Sequence, residues 1–134
     1  MVRMQKRLQI TSDPKNLRMV ENLIEELNEK HQIEADVFGK ILVATIEAVN
    51  NAIIHGNKSD VNKKVDIDLT LEDKVVKVKI CDEGEGFDHE KVPDPTAPEN
   101  IENIHGRGVF LMKRLSDEIR FNNDGTSVEM TFKL

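Results

Sequence analysis

Residues 38 to 54, F-G-K-I-L-V-A-T-I-E-A-V-N-N-A-I-I, make a long apolar run. Its length and its Ala, Ile, Leu and Val content predict a buried helix rather than a strand. On that helix Glu47, Asn51 and His55 fall at i, i+4 and i+8, one ridge with about 6 Å between steps, flanked by Ile46, Ala48, Val49, Ala52 and Ile53. A carboxylate and an amide thus stand where core residues are expected. Burying them unsatisfied costs several kcal/mol, so other protein groups, water or a metal carried in by a ligand must meet them. The downstream sequence favours the ligand.

At 134 residues the chain, 1–134, is expected to be one domain with a core of its own. Hydrophobic content of 38% and charged content of 33% fit a soluble globular protein. A net charge of -6 argues against direct nucleic-acid binding, and the short basic cluster from Arg3 to Arg7 reads as a solvated edge. No 18-residue apolar stretch is free of charge and no signal peptide follows Met1, so the expectation is a cytoplasmic chain with no membrane contact. The single cysteine, Cys81, cannot form an internal disulfide, and at the end of an apolar strand it reads as an inert, half-buried thiol. The four histidines are scattered and give no permanent metal site.

Along the chain, Met4, Leu8 and Ile10 are in phase and predict an edge strand. Ser12-Asp13-Pro14 opens a helix over residues 14–30, in which Leu17, Val20, Leu23, Ile24 and Leu27 form the apolar stripe. Glu21, Glu25, Glu26 and Glu29 make an acidic outer face, most simply a solvated one and alternatively a partner's landing strip. After the central helix, residues 56–60 are a turn. Val65, Ile67, Leu69 and Leu71, then Val76, Val78 and Ile80, alternate with polar residues around Glu72-Asp73-Lys74 and predict a hairpin. Residues 88–103 carry three prolines and no period, as a loop or lid would. His105-Gly106-Arg107-Gly108 leads into a short glycine-opened helix through Leu115. Ile119 and Phe121 give a strand, residues 122–125 a turn, and Thr126 to Phe132 a last alternating strand.

Parity brings further polar groups to the core side. Asp82 is in phase with Val76, Val78 and Ile80, and Thr126 with Val128, Met130 and Phe132. The pairs Gly84 with Gly86 and Gly106 with Gly108 let backbone approach something closely. An adenine nucleotide with magnesium would use such a set. An aspartate can accept from the adenine 6-amino group, an amide oxygen can coordinate magnesium, N–H groups from Gly106 to Val109 suit phosphate oxygens, and Glu47 is left to orient a hydroxyl or water. Singly, each has a plainer reading. Gly106-Arg107-Gly108 suits any loop, Asp82-x-Gly-x-Gly a turn capped by an acid, His55 the negative end of a helix dipole, and Thr126 a turn that needs its backbone satisfied.

In order, these boxes resemble those of the GHKL ATPase superfamily, which shares the Bergerat nucleotide-binding fold, and within it the stand-alone bacterial anti-sigma-factor serine/threonine kinases. E-A-V-N-N-A-I-I-H-G looks like the N box, D-E-G-E-G-F the first glycine box, G-R-G-V-F-L-M the second, and D-G-T-S-V the terminal Gly-Thr element. The resemblance implies an α+β two-layer sandwich with helices on one face of a mostly antiparallel mixed sheet. It implies ATP and Mg2+ as cofactors, with Asn51 on magnesium and Glu47 as general base. Asp82 would hold adenine, with Gly84 and Gly86 close to it and Thr126 in support. Gly106, Arg107, Gly108 and Val109 would lie at the phosphates. It further implies a homodimer that binds a sigma factor and phosphorylates an anti-anti-sigma (STAS-type) protein. The alternative is a nucleotide-gated partner-binding module in which no phosphate leaves, suggested by the proline-bearing lid with Lys91 as its one lysine.

Overall fold

The charges on one sheet face fall in register. Five strands, β1 (Arg3–Thr11), β2 (Lys64–Glu72), β3 (Val75–Cys81), β4 (Glu118–Asn122) and β5 (Ser127–Lys133), stand in the order β1-β2-β3-β5-β4. Pairing sets Arg7 against Asp68, Asp68 against Lys79, Lys79 against Glu129 and Glu129 against Arg120, an alternating row across the whole sheet. Opposite charges on facing positions favour this register. A slip by one residue would turn the charges of this row on the shifted strand into the core. The computed structural model describes residues 3–85, 104–122 and 125–134. Among them every strand pairing is antiparallel, with no parallel pair.

The other sheet face carries the core. Leu8, Ile67, Ile80, Val128 and Phe121 are successive cross-strand neighbours, and α1 (Leu17–His31), α2 (Ala35–Asn51) and α3 (Ile104–Leu115) belong to the layer over that face. The amphipathic helix begins as expected. Asp13 caps a turn at Pro14–Asn16 by accepting from Lys15 N, and Val20, Leu23, Ile24 and Leu27 of α1 are buried. The β2–β3 hairpin turns through Asp73 and Lys74, both at positive φ (50° and 63°), the mirror-image turn that suits twisted strands. Cys81 is half-buried on the outer face, its Sγ 3.4 Å from Ser127 Oγ.

The apolar run is the central helix. With its final turn it spans Ala35–Gly56, with a mean hydropathy of 1.5 over an 18-residue stretch, and Ile41, Ala44, Ala48, Val49, Ala52 and Ile53 bury its inner face. Its end departs from the simple pattern. From Ala52 to Gly56 the coil widens, and Asn57 N–H reaches back five residues to Ala52 O at 2.8 Å. Glu47 and Asn51 keep the expected ridge, whereas His55 lies on the widened turn and is exposed. α3 also begins earlier than expected, so Gly106 and Gly108 lie inside the helix rather than ahead of it. Gly86, the segment 88–103 and Asn123-Asp124 lie outside the described residues.

Two substitutions separate core from outer face. Leu69→Ala is expected to cost about 2–5 kcal/mol in urea denaturation with an unchanged m-value, whereas Lys79→Glu, set between Asp68 and Glu129, is expected to cost under about 1 kcal/mol.

Candidate functional site

Where the inner-face rows end, at the C-terminus of β3 and the start of β5, a cleft of about 500 Å³, open mouth included, lies under the end of α2. Its walls are mostly apolar, from Ala48 and Ala52 on α2, Ile80, Val128 and Phe121 on the sheet, and Met112 on α3. Into it come Asn51, His55, Asp82 and Thr126.

Asn51 is 7% exposed, and neither its Oδ1 nor its Nδ2 has a hydrogen-bond partner among the described residues. A carboxamide stripped of water and left unmet costs about 1–3 kcal/mol. Gly108 makes this arrangement possible, because a Cβ there would lie 2.7 Å from Asn51 Nδ2 and 2.9 Å from Oδ1. An unmet amide oxygen in a cleft is a fitting ligand for a hard cation such as magnesium.

Asp82 follows directly on β3, and its backbone N–H donates to Thr126 O at 2.9 Å, which continues the β3–β5 ladder by one step. Gly84 N donates to Asp82 Oδ1 at 2.8 Å. Burial lifts this carboxyl above its ordinary value of 3.8, while the Gly84 N–H and the Lys63 charge pull the other way. Two glycines pack around the group. A Cβ on Gly56 would lie 2.5 Å from Asp82 Cγ, and one on Gly84 would collide with the Gly56 carbonyl. The carboxylate accepts hydrogen bonds in an apolar cleft, which fits the exocyclic amine of a planar base. His55 is held below its ordinary 6.5 by desolvation.

Glu47 lies one turn before Asn51 on the same ridge, half-buried, and outside the cleft's lining. Along α2 the order is Glu47, Asn51, then Gly56 against Asp82. Gly106, Arg107, Gly108 and Val109 open α3, with Arg107 exposed and Gly106, Gly108 and Val109 buried.

A family model described as a histidine kinase-like ATPase domain matches residues 10–132. The chain belongs to this family. The ATPase domain is 38% identical over 103 residues to the anti-sigma F factor of Bacillus subtilis, across 72% of this chain and 69% of that one. It is 31% identical over 103 residues to the serine-protein kinase RsbW of the same organism, across 72% and 64%. It is 32% identical over 87 residues to the serine-protein kinase RsbW of Oceanobacillus iheyensis, across 60% and 55%. The matched stretches thus run from a little over half to about two thirds of these relatives' lengths.

Several residues in or around the cleft of this ATPase domain escaped the sequence pattern. Ile80, Met112, Phe121 and Val128 carry core-phase signals, and nothing in the alternation tells a cleft wall from a core. Gly56 reads as a helix stop, yet it is the floor beneath Asp82. Asn57 reads as a turn residue, yet it is 1% exposed and fully bonded.

Asp82→Asn is expected to stabilise the unliganded protein at neutral pH. A carboxyl raised in the folded state favours the protonated form, so wild type loses stability as pH rises from 3.8 through the raised value, and the gain on substitution vanishes below 3.8. Denaturant melts of both proteins across pH check this. Gly108→Ala is expected to push the Asn51 amide aside and weaken ATP binding at least tenfold, read by calorimetric titration.

Proposed function

We propose that this chain is a magnesium- and ATP-dependent protein serine/threonine kinase and anti-sigma factor, which binds a sigma factor and phosphorylates a small anti-anti-sigma (STAS-type) protein. The observation that carries the nucleotide reading is the meeting, in one apolar cleft, of an unmet buried amide and a glycine-cradled carboxylate. Relatives whose names are anti-sigma F factor and serine-protein kinase RsbW support the regulatory reading. The family resemblance supports a homodimer working in the cytoplasm.

In this reading α2 acts as a ruler. At about 1.5 Å per residue it spaces Gly56 with Asp82, then Asn51, then Glu47, in the order base, phosphates, transferred group. Asp82 accepts from the adenine 6-amino group, and Thr126 steadies it through the backbone. Asn51 would offer Oδ1 to magnesium, and the first turn of α3, with Gly106, Arg107, Gly108 and Val109, would receive the phosphates, while Gly84 packs against Asp82. Magnesium, when bound, neutralises phosphate charge. Glu47 takes the proton of the partner's hydroxyl while that oxygen bonds to the terminal phosphorus and the bond to the bridging oxygen breaks, which leaves a phosphoserine or phosphothreonine and ADP. A second reading, a nucleotide-gated clamp without transfer, draws on one observation: Glu47 stands outside the cleft's lining.

Source-cell lysate incubated with tagged protein and magnesium ATP labelled on its terminal phosphate distinguishes the two. A small protein is expected to become labelled with the native sequence, and Glu47→Gln to bind ATP normally while labelling falls by about 10²–10⁴. Equal labelling by Glu47→Gln would contradict the general base. ATP-dependent capture of partners without any labelled band would leave the clamp.

A further inference from the structure

Asn57 lies just past the widened turn of α2, outside the cleft, and ties separate pieces of chain together. Its Nδ2 donates to Ser12 Oγ at 2.8 Å and to Lys64 O at 3.0 Å, and its Oδ1 accepts from Glu83 N at 2.8 Å. Ser12 Oγ in turn donates to Lys63 O at 2.7 Å, and Glu83 Oε2 accepts from Lys64 N at 2.6 Å. The end of β1, the end of α2, the start of β2 and the loop after β3 therefore meet at one buried carboxamide.

This places Asp82 between two backbone anchors. Its own N–H is held by Thr126 O, and the next N–H, that of Glu83, is held by Asn57 Oδ1. With both flanking peptides fixed, the Cα–Cβ direction of Asp82 is fixed, and the packing of Gly56 and Gly84 leaves the carboxylate little room to turn. A hydrogen-bond acceptor discriminates between bases only if its direction is set before the base arrives.

We infer that Asn57 is a positioning residue for base recognition: by accepting the Glu83 N–H it aims the Asp82 carboxylate, and so sets the preference for a base bearing an amino donor over one bearing a carbonyl at that edge. This rests on Asp82 being the acceptor for the base. The two donor bonds of Asn57 are a separate matter, since they join β1 to β2 and serve stability.

ATP and inosine triphosphate differ at the 6-position, amine against carbonyl, and their dissociation constants with magnesium, together with thermal melts, separate these roles. Wild type is expected to prefer ATP. Ser12→Ala is expected to melt lower with an unchanged preference. Asn57→Ala is expected to melt lower and to lose about tenfold of the preference. Asn57→Asp, which keeps an acceptor for Glu83 N–H but loses both donors, is expected to melt lower and keep the preference. A folded Asn57→Ala with wild-type preference, or a Ser12→Ala that loses it equally, would overturn the inference. Should Asn57→Ala not fold, Asn57→Asp decides, a kept preference supporting the inference and a lost one overturning it. A wild type with no preference would instead overturn the reading of Asp82 itself, and the inference with it.

Discussion

A buried carboxamide without a partner among the described residues is the constraint on which the rest of the site turns. Asn51 sits on the most apolar of the described helices, 7% exposed, with both polar atoms unmet among the described residues. Folding alone would favour an apolar residue of the same shape there, because leaving a buried polar group unbonded costs about 1–3 kcal/mol. The neighbouring positions accommodate that choice. Gly108 on α3 has no side chain where one would collide with the amide, and Ala48 and Ala52 on α2 are small enough to leave a cleft. The local cost to the fold and the amide oxygen that the proposed reading gives to a cation are the same feature.

Asp82 repeats this logic with charge in place of an amide. Burial works against its ionised form, and the surroundings compensate only in part, through one backbone N–H and the field of Lys63. Between the two polar groups runs a helix whose final turn is widened, and the widening delivers Gly56 beneath Asp82 and Asn57 beneath Glu83. A regular last turn would displace both. The outer sheet face, with its alternating row from Arg7 to Arg120, holds the strands in the register that brings Asp82 and Thr126 to one end.

The elements and the inward groups were legible because they follow from period and parity. Alternation through Val76, Val78 and Ile80 put Asp82 on the core side, and four-residue spacing put Glu47 and Asn51 on one ridge; both hold in the structure. The end of α2 and the start of α3 were not legible, although the start of the first helix was. The early start of α3 at Ile104 and the widened turn at Ala52 depend on tertiary contacts, because a glycine in sequence signals a break whether it ends a helix or makes room for a neighbouring side chain. Asn57 shows the same limit. Turn propensity explains an Asn after a Gly, and only the folded chain shows what its side chain bonds.

Urea denaturation of Asn51→Leu beside wild type, each without ligand and with magnesium ATP, tests most directly whether the amide is kept for a ligand at the expense of the fold. Leucine has the shape of asparagine without the polar atoms. The variant is expected to be at least as stable as wild type without ligand and to show none of the midpoint rise that magnesium ATP gives wild type. A loss of about 2 kcal/mol or more in the unliganded variant would contradict this, since it would mean that the fold itself depends on the Asn51 amide.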